Sequence, residues 1–151
     1  MFLHWGFLKL KLMSKLRYNE AHHEWFKEQY PAAFKDGFYS PPPMPTITKA
    51  NGLTKYITNF LFWKGHRATR VNVQGRIVKG KWIPSSTRKG TADISATIKG
   101  RSVMIEIKVG SDRARPEQLQ EQERERKASG IYEFIRTAEE FLELYDKVVN
   151  L

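Results

Sequence analysis

Cysteine is missing from this chain of 151 residues. Its absence excludes a disulfide framework, a thiolate zinc site and a cysteine nucleophile, and it fits a reducing, intracellular setting such as the cytoplasm. Long apolar runs are missing as well. The opening "MFLHWGFLKLKLMSKL" is apolar and basic, but Lys9 and Lys11 interrupt it and no small-residue cleavage site follows, so neither a signal peptide nor a membrane anchor is expected. Met13 offers a second candidate start. No Gly-x4-Gly-Lys-Ser/Thr loop occurs, which excludes a nucleotide cofactor of the usual phosphate-loop kind. No Gly-x-Ser-x-Gly elbow occurs either, and Ser85-Ser86 has no acid–base partner in view. Of the four histidines, His22 and His23 in "HHEW" lack the four-residue spacing that sets two ligands on one helix face. All four, with His4 and His66, read as surface residues.

Acids are missing from the middle of the chain. No Asp or Glu lies between Asp36 and Asp93, whereas ten Lys or Arg do. Residues 1–90 hold 16 basic and 4 acidic residues, residues 91–151 hold 10 and 12, and the whole carries a formal charge of +10. Such a stretch draws a polyanion through phosphate contacts and counterion release, so nucleic acid is the expected partner, ahead of a merely solubilising surface.

What is present suits one α/β core, since 40% hydrophobic and 28% charged residues in this length exclude wholesale disorder. Residues 19–30, "NEAHHEWFKEQY", read as a short helix capped by Asn19 and stopped by Pro31. "FYSPPPMPTIT" is a proline-rich linker, which places a boundary near residue 46: an N-terminal extension over 1–46 and a domain over 47–151. "NGLTKYITNFLFWKG" spaces Leu53, Tyr56, Ile57, Phe60 and Leu61 along one helix face, with Gly65 as its C-terminal cap. "RATRVNVQGRIVKGKWIP" breaks at Gln74-Gly75 and reads as a strand pair or a long bent hairpin, followed by the loop "SSTRKGT". Two strands over 92–98 and 102–109 turn at Lys99-Gly100. A polar helix opens at Pro116 and runs to Gly130, "IYEFIR" is a strand, and "TAEEFLELYDKVV" is a closing helix with a capping box of Thr137 and Glu140. The expected architecture is a mixed central sheet with helices on both faces, the N-terminal arm docked on it or trailing from it.

The hairpin at Lys99-Gly100 carries the chemistry. In a tight turn there, opposed residue numbers sum to 199, so Asp93 faces Glu106 with Cβ atoms roughly 5 Å apart, near enough for two carboxylates to share a cation and repulsive without one. Lys108 falls on the same strand face as Glu106, with Val103, Ile105, Ile107 and Val109 on the other. Hard oxygen ligands at this distance suit Mg²⁺, or Mn²⁺, whose bound water a neighbouring lysine can position for attack on phosphorus. The plain alternative is a salt-bridged surface face with no function.

Asp93 followed by Glu106-Ile107-Lys108 resembles the D…ExK core of the PD-(D/E)xK nuclease superfamily, the restriction-endonuclease-like fold (αβββαβα). Within it, residues 90–141, "GTADISATIKGRSVMIEIKVGSDRARPEQLQEQERERKASGIYEFIRTAEEF", are similar to the virus-type replication-repair nuclease branch, and residues 51–83 match more loosely. The whole chain also resembles small nuclease-like proteins of phages and mobile elements. The resemblance implies a metal-dependent DNA endonuclease in which Asp93, Glu106 and the Ile107 carbonyl bind the metal and Lys108 is catalytic. Gln118, ten residues beyond Lys108, would support the lysine or contact the phosphate. Two positions depart from the pattern: Ala92 stands where the proline is usual, and Gly52 or a close neighbour stands where many relatives carry a helix glutamate. The site would then hold one metal rather than two, or borrow Glu20 or Glu24, or be impaired. The favoured reading is one metal.

Around this site the basic run supplies Lys64, Arg67, Arg70, Arg76, Lys79 and Lys81, then Arg88 and Lys89, to grip a DNA backbone. Arg113 and Arg115 precede a helix N-terminus, where amides and cationic side chains together hold phosphate. Tyr56, Phe60, Phe62 and Trp63 read as core. Trp82, flanked by Lys79, Lys81 and Arg88, is the candidate for stacking on a base. Glu121 and Gln122 read as helix-surface residues. Cutting both strands needs two sites or two visits, so a homodimer is one expected assembly. The alternatives are a nuclease-derived DNA-binding module without turnover, and a protein-binding adaptor.

Overall fold

In a computed structural model of the chain, residues 2–71, 75–84 and 86–151 are described, with the backbone alone for residues 2–5, 7 and 76. The elements are α1 (Phe2–Gln29), α2 (Pro31–Lys35), α3 (Ala50–Trp63), β1 (Arg67–Arg70), β2 (Arg76–Val78), β3 (Lys81–Ile83), β4 (Ile94–Ile98), β5 (Arg101–Ile107), α4 (Pro116–Lys127), β6 (Ile131–Ile135) and α5 (Ala138–Val149). The fold is mixed α/β, as expected, with a mixed sheet flanked by helices on both faces.

The main sheet has the order β1-β4-β5-β6. β1 and β5 run antiparallel to β4, and β6 runs parallel to β5. A parallel neighbour needs a crossover connection, and α4 supplies it. Lys99 and Gly100 both have positive φ, 49° and 79°, the backbone that a two-residue hairpin turn demands. The turn fixes the register: Ile94 faces Ile105, Ala96 faces Val103 and Ile98 faces Arg101, a sum of 199 in each case, as read from the sequence. Period-two alternation then sends Ile94, Ala96, Ile98, Val103, Ile105 and Ile107 to one buried face.

That apolar face is covered by α3 and α5. The α3 stripe of Leu53, Tyr56, Ile57, Phe60 and Leu61 is buried as its spacing requires, against Phe141, Leu142, Tyr145 and Val148 of α5. Phe60 meets Phe141 edge-on with centroids 5.5 Å apart. Lys64 follows α3 and Gly65 turns the chain at φ 77°, the left-handed conformation expected of a helix stop. Thr137 caps α5 by accepting the Glu140 amide, while Glu140 reaches back to the Arg136 amide, one residue earlier than a standard capping box.

Three readings of the N-terminal half change. The helix expected over 19–30 begins at Phe2, and Asn19 lies inside it rather than at its cap. Ser14, Tyr18 and Ala21, spaced four and three apart, form a buried stripe on α1 that extends the helix upstream of Asn19. Tyr18 stacks on Tyr56 at 4.8 Å, the Tyr56 hydroxyl donates to the Ser14 carbonyl, and Arg17 forks onto Asp146 of α5. Of the two dispositions open to the arm, α1 is therefore docked. Pro31 ends α1 and opens α2 at its first position, and residues 38–46 have no regular structure.

The second change concerns the strands before residue 84. β1 pairs with β4, some 25 residues later, and the local hairpin is β2–β3, a separate two-stranded sheet turning at Lys79-Gly80. The break read at Gln74-Gly75 lies partly outside the described residues. The third concerns the histidines: His66 Nε2 lies 3.2 Å from the Tyr145 hydroxyl, and His22 packs edge-on against Trp63. Burial lowers the pKa of both, so these two are half-buried packing residues rather than surface ones. Among the described residues no helix is long and apolar enough to cross a membrane.

Candidate active site

Continued by one residue, the β4–β5 register sets Asp93 opposite Glu106. Asp93 lies just ahead of β4 at a bend. Its carbonyl still accepts from the Val71 amide at 2.7 Å, but on the β5 side its carboxylate replaces the main chain: Oδ2 accepts the Ile107 amide at 2.9 Å. Thus the first acid is fastened to the backbone between the second acid and the lysine. Ile107 puts its side chain in the core, and its peptide is the one that joins the Glu106 and Lys108 strand positions.

Glu106 and Lys108 share a face, as alternation requires, and Lys108 Nζ lies 3.1 Å from Glu106 Oε1. The plain alternative, a salt-bridged surface face, is not what is seen: Glu106 is 5% and Lys108 2% exposed. α4 lies over this face. Gln118, at the third position of α4, accepts the Arg115 amide at 2.9 Å through Oε1 and donates through Nε2 to Glu106 Oε1 at 2.5 Å. One glutamine both caps the helix and holds the carboxylate. What it holds in this structure is the Glu106 carboxylate, which Lys108 also meets.

Burial raises the Glu106 pKa, and the nearby Asp93 charge raises it further; the bond and charge of Lys108 and the Asp93 amide act in the opposite direction without cancelling the rise. Loss of water is thus the larger cost to the ionised form of Glu106, and the neighbouring Asp93 charge adds to it. Lys108 Nζ also meets Asp112 at 3.4 Å, and Arg136 ties down the segment between them by donating to the carbonyls of Lys108 and Asp112. Asp112 was legible as an acid four residues past the lysine; Arg136, 28 residues away in sequence, carried no signal.

Tyr132, next to Glu106 in space, is another residue the sequence did not single out. Its hydroxyl donates to the Gly90 carbonyl at 2.9 Å, and its pKa is pushed far up by burial and then by the charges of Glu106 and Asp93, so it stays a donor. Gly90 has φ 84°, and a Cβ there would lie 2.3 Å from the Glu117 carbonyl oxygen. Only glycine lets the loop 87–91 close against the first turn of α4.

That closure builds a cavity of about 430 Å³ whose wall includes Glu106 and Gln118, with Trp82, Arg88, Lys89 and Arg115 around it. Four of the expected nucleic-acid contacts thus meet at the acid site. Arg88 also reaches Glu121 at 3.5 Å, and Gln122 donates to the Tyr132 carbonyl, so neither Glu121 nor Gln122 is the idle surface residue expected. Other members of the basic run lie elsewhere. Arg70 pairs in register with Ile94 at the acid end of the sheet and bonds Asn51, whereas Arg67 faces Thr97 three residues away, roughly 10 Å along the strand. Lys64 is paired with Glu24 at 2.9 Å, and with Arg67 and Lys99 it lines a different cavity. Lys79 and Lys81 are exposed on the β2–β3 hairpin and Arg113 is exposed before α4, while the side chain of Arg76 lies outside the described residues. Among the aromatics read as core, Tyr56 and Phe60 are buried and Trp63 packs on the core, but Phe62 is exposed.

The donor set fits one hard divalent cation: two carboxylates in register, one of them buried, beside an open cavity that admits water and phosphate oxygens. Among the described residues no group of three or more His, Cys, Asp or Glu side chains comes together. A Cβ on Gly52 would lie 2.0 Å from the Thr46 carbonyl oxygen, so no acid can stand there, and Glu24 is engaged with Lys64 on the far side of the core. Compared with family models, with curated proteins and with solved structures, the chain gives no significant match.

Proposed function

We propose that the chain is a DNA nuclease that hydrolyses phosphodiester bonds with one Mg²⁺ or Mn²⁺ ion, on a restriction-endonuclease-like core. The observation that carries the reading is the Asp93–Glu106 pair, in register at one end of the sheet, with Lys108 against Glu106 and a basic cavity alongside. The order α3, then antiparallel β1, β4 and β5, then α4 and the parallel β6, then α5 supports the core assignment; the β2–β3 hairpin is inserted between β1 and β4.

Asp93, Glu106 and the Ile107 carbonyl would hold the ion. Bound there, it would supply a more acidic water and a positive charge for the phosphate oxygens. The chain's own groups do the rest. Gln118 and Lys108 fix the Glu106 carboxylate from two directions, so its orientation does not have to be found during the reaction. Lys108 offers an N–H donor to the attacking water or to the charge developing on the phosphoryl oxygens. Arg115 and Lys89 line the same cavity, where they would hold the flanking phosphates.

Incubation of the purified chain with plasmid, branched and single-stranded DNA, with and without Mg²⁺ or Mn²⁺, tests the reading. Cleavage is expected only with metal and is expected to fall at least about 100-fold in Asp93→Ala, Glu106→Ala and Lys108→Ala. No cleavage of any DNA form would remove the enzyme. The second reading, a DNA-binding module derived from a nuclease and lacking turnover, is favoured by the closed position at Gly52, which bars a further acid. It predicts salt-sensitive DNA binding without cleavage, whereas a protein-binding adaptor predicts neither.

A further inference from the structure

The β2–β3 hairpin pairs only with itself among the described residues, yet it exposes most of its apolar side chains. Ile77 and Trp82 face each other across the two strands and are 72% and 65% exposed. A two-stranded hairpin is marginal alone, and a cluster of large apolar side chains on so small an element marks a contact surface. The indole is also held in place. A Cβ on Gly75 would lie 2.3 Å from its six-membered ring, so the ring edge rests on bare backbone while the rest of the side chain stays open. Gly75 and Trp82 line the cavity that reaches Glu106.

The charge around this patch selects its occupant. Lys79 and Lys81 lie on the hairpin, and Arg88, Lys89 and Arg115 border the cavity. An occupant must therefore combine flat apolar faces with closely spaced negative charge. Duplex DNA presents phosphates and base edges but keeps its base faces stacked; an unpaired strand presents both at once. We infer that the hairpin is a stacking platform for an unpaired base, which makes single-stranded or frayed nucleic acid the preferred substrate and Trp82 the residue that sets this preference. The inference rests on the proposed nuclease site for its meaning, but binding tests it separately.

Fluorescence anisotropy with labelled oligonucleotides of equal length, single-stranded and blunt duplex, in EDTA so that no cleavage intrudes, measures the preference. The wild type is expected to favour the single strand, Trp82→Ala to lose at least about fivefold more single-strand than duplex affinity, and Trp82→Phe to regain most of that difference. Equal affinity for the two forms, or a Trp82→Ala ratio matching the wild type, would overturn the inference, as would a loss seen instead as a change of oligomeric state, which would make the hairpin an interface between copies. A Trp82-dependent preference without metal-dependent cleavage would sink the enzyme and leave the platform. Cleavage with no strand preference would do the reverse.

Discussion

Replacing Lys108 by methionine keeps most of the side chain's volume and removes its charge. The ammonium lies 3.1 Å from Glu106 Oε1 with both side chains buried, and two unit charges at that separation attract by about 5 kcal/mol at an effective dielectric constant of about 20. Part of this is offset because the ammonium no longer has to be desolvated, and breaking such a pair from one side costs about 3–5 kcal/mol. The loss falls on the ionised form of Glu106, whose pKa is already raised by burial and by Asp93 and would rise further. A carboxyl raised on folding favours the native state when protonated; that contribution is complete below the unfolded pKa and is lost as the pH climbs through the folded one. Lys108→Met should therefore be less stable than the wild type by about 3–5 kcal/mol near pH 8 and recover much of the deficit as the pH falls through the new Glu106 pKa. Urea unfolding across this range, with the slope checked for constancy, reads the effect. The double variant Lys108→Met/Glu106→Gln, with no buried charge left at the pair, should be more stable than Lys108→Met near pH 8. A deficit that does not change with pH, or a double variant no better than the single one, would refute the electrostatic reasoning.

Gly52→Ala should cost about 1–3 kcal/mol, because its Cβ would meet the Thr46 carbonyl at 2.0 Å and the chain before α3 must shift; thermal unfolding measures it, and a neutral result would mean that the approach is not required. Gly52→Glu should be at least as destabilising and should not restore a second metal, which titration of the variant with Mn²⁺ would show. Tyr18→Ala should cost about 3–5 kcal/mol, since the ring is buried between Tyr56 and Trp63. A loss below about 1 kcal/mol in denaturant unfolding would show that α1 contributes little to the core.

The sheet's central hairpin was legible because a Lys-Gly turn and strict alternation fix register locally, and the helix over 50–63 because its apolar spacing has one period. Partners distant in sequence were not. β1 finds β4 across the β2–β3 hairpin, and nothing in "RATR" states that its mate is "ISATI". In "LKLKLMSKL", residues 8–16, apolar and basic residues alternate in twos instead of recurring at three and four, so periodicity gave no reason to join them to α1. At the site, spacing placed Asp93, Glu106 and Lys108 together, but their burial depends on α4, and α4 reads as polar all round. Gln118 reveals its role only when the helix lies across the strands. The convergence of Trp82, Arg88, Lys89 and Arg115 depends in the same way on the loop that Gly90 and Tyr132 hold against α4.

Calorimetric titration of the protein with Mn²⁺, in wild type, Asp93→Asn and Glu106→Gln, tests the paired carboxylates most directly. A single ion per wild-type chain, lost in both variants while their circular dichroism stays native, is the expected result. Binding of equal affinity in all three proteins, or none in the wild type, would contradict it.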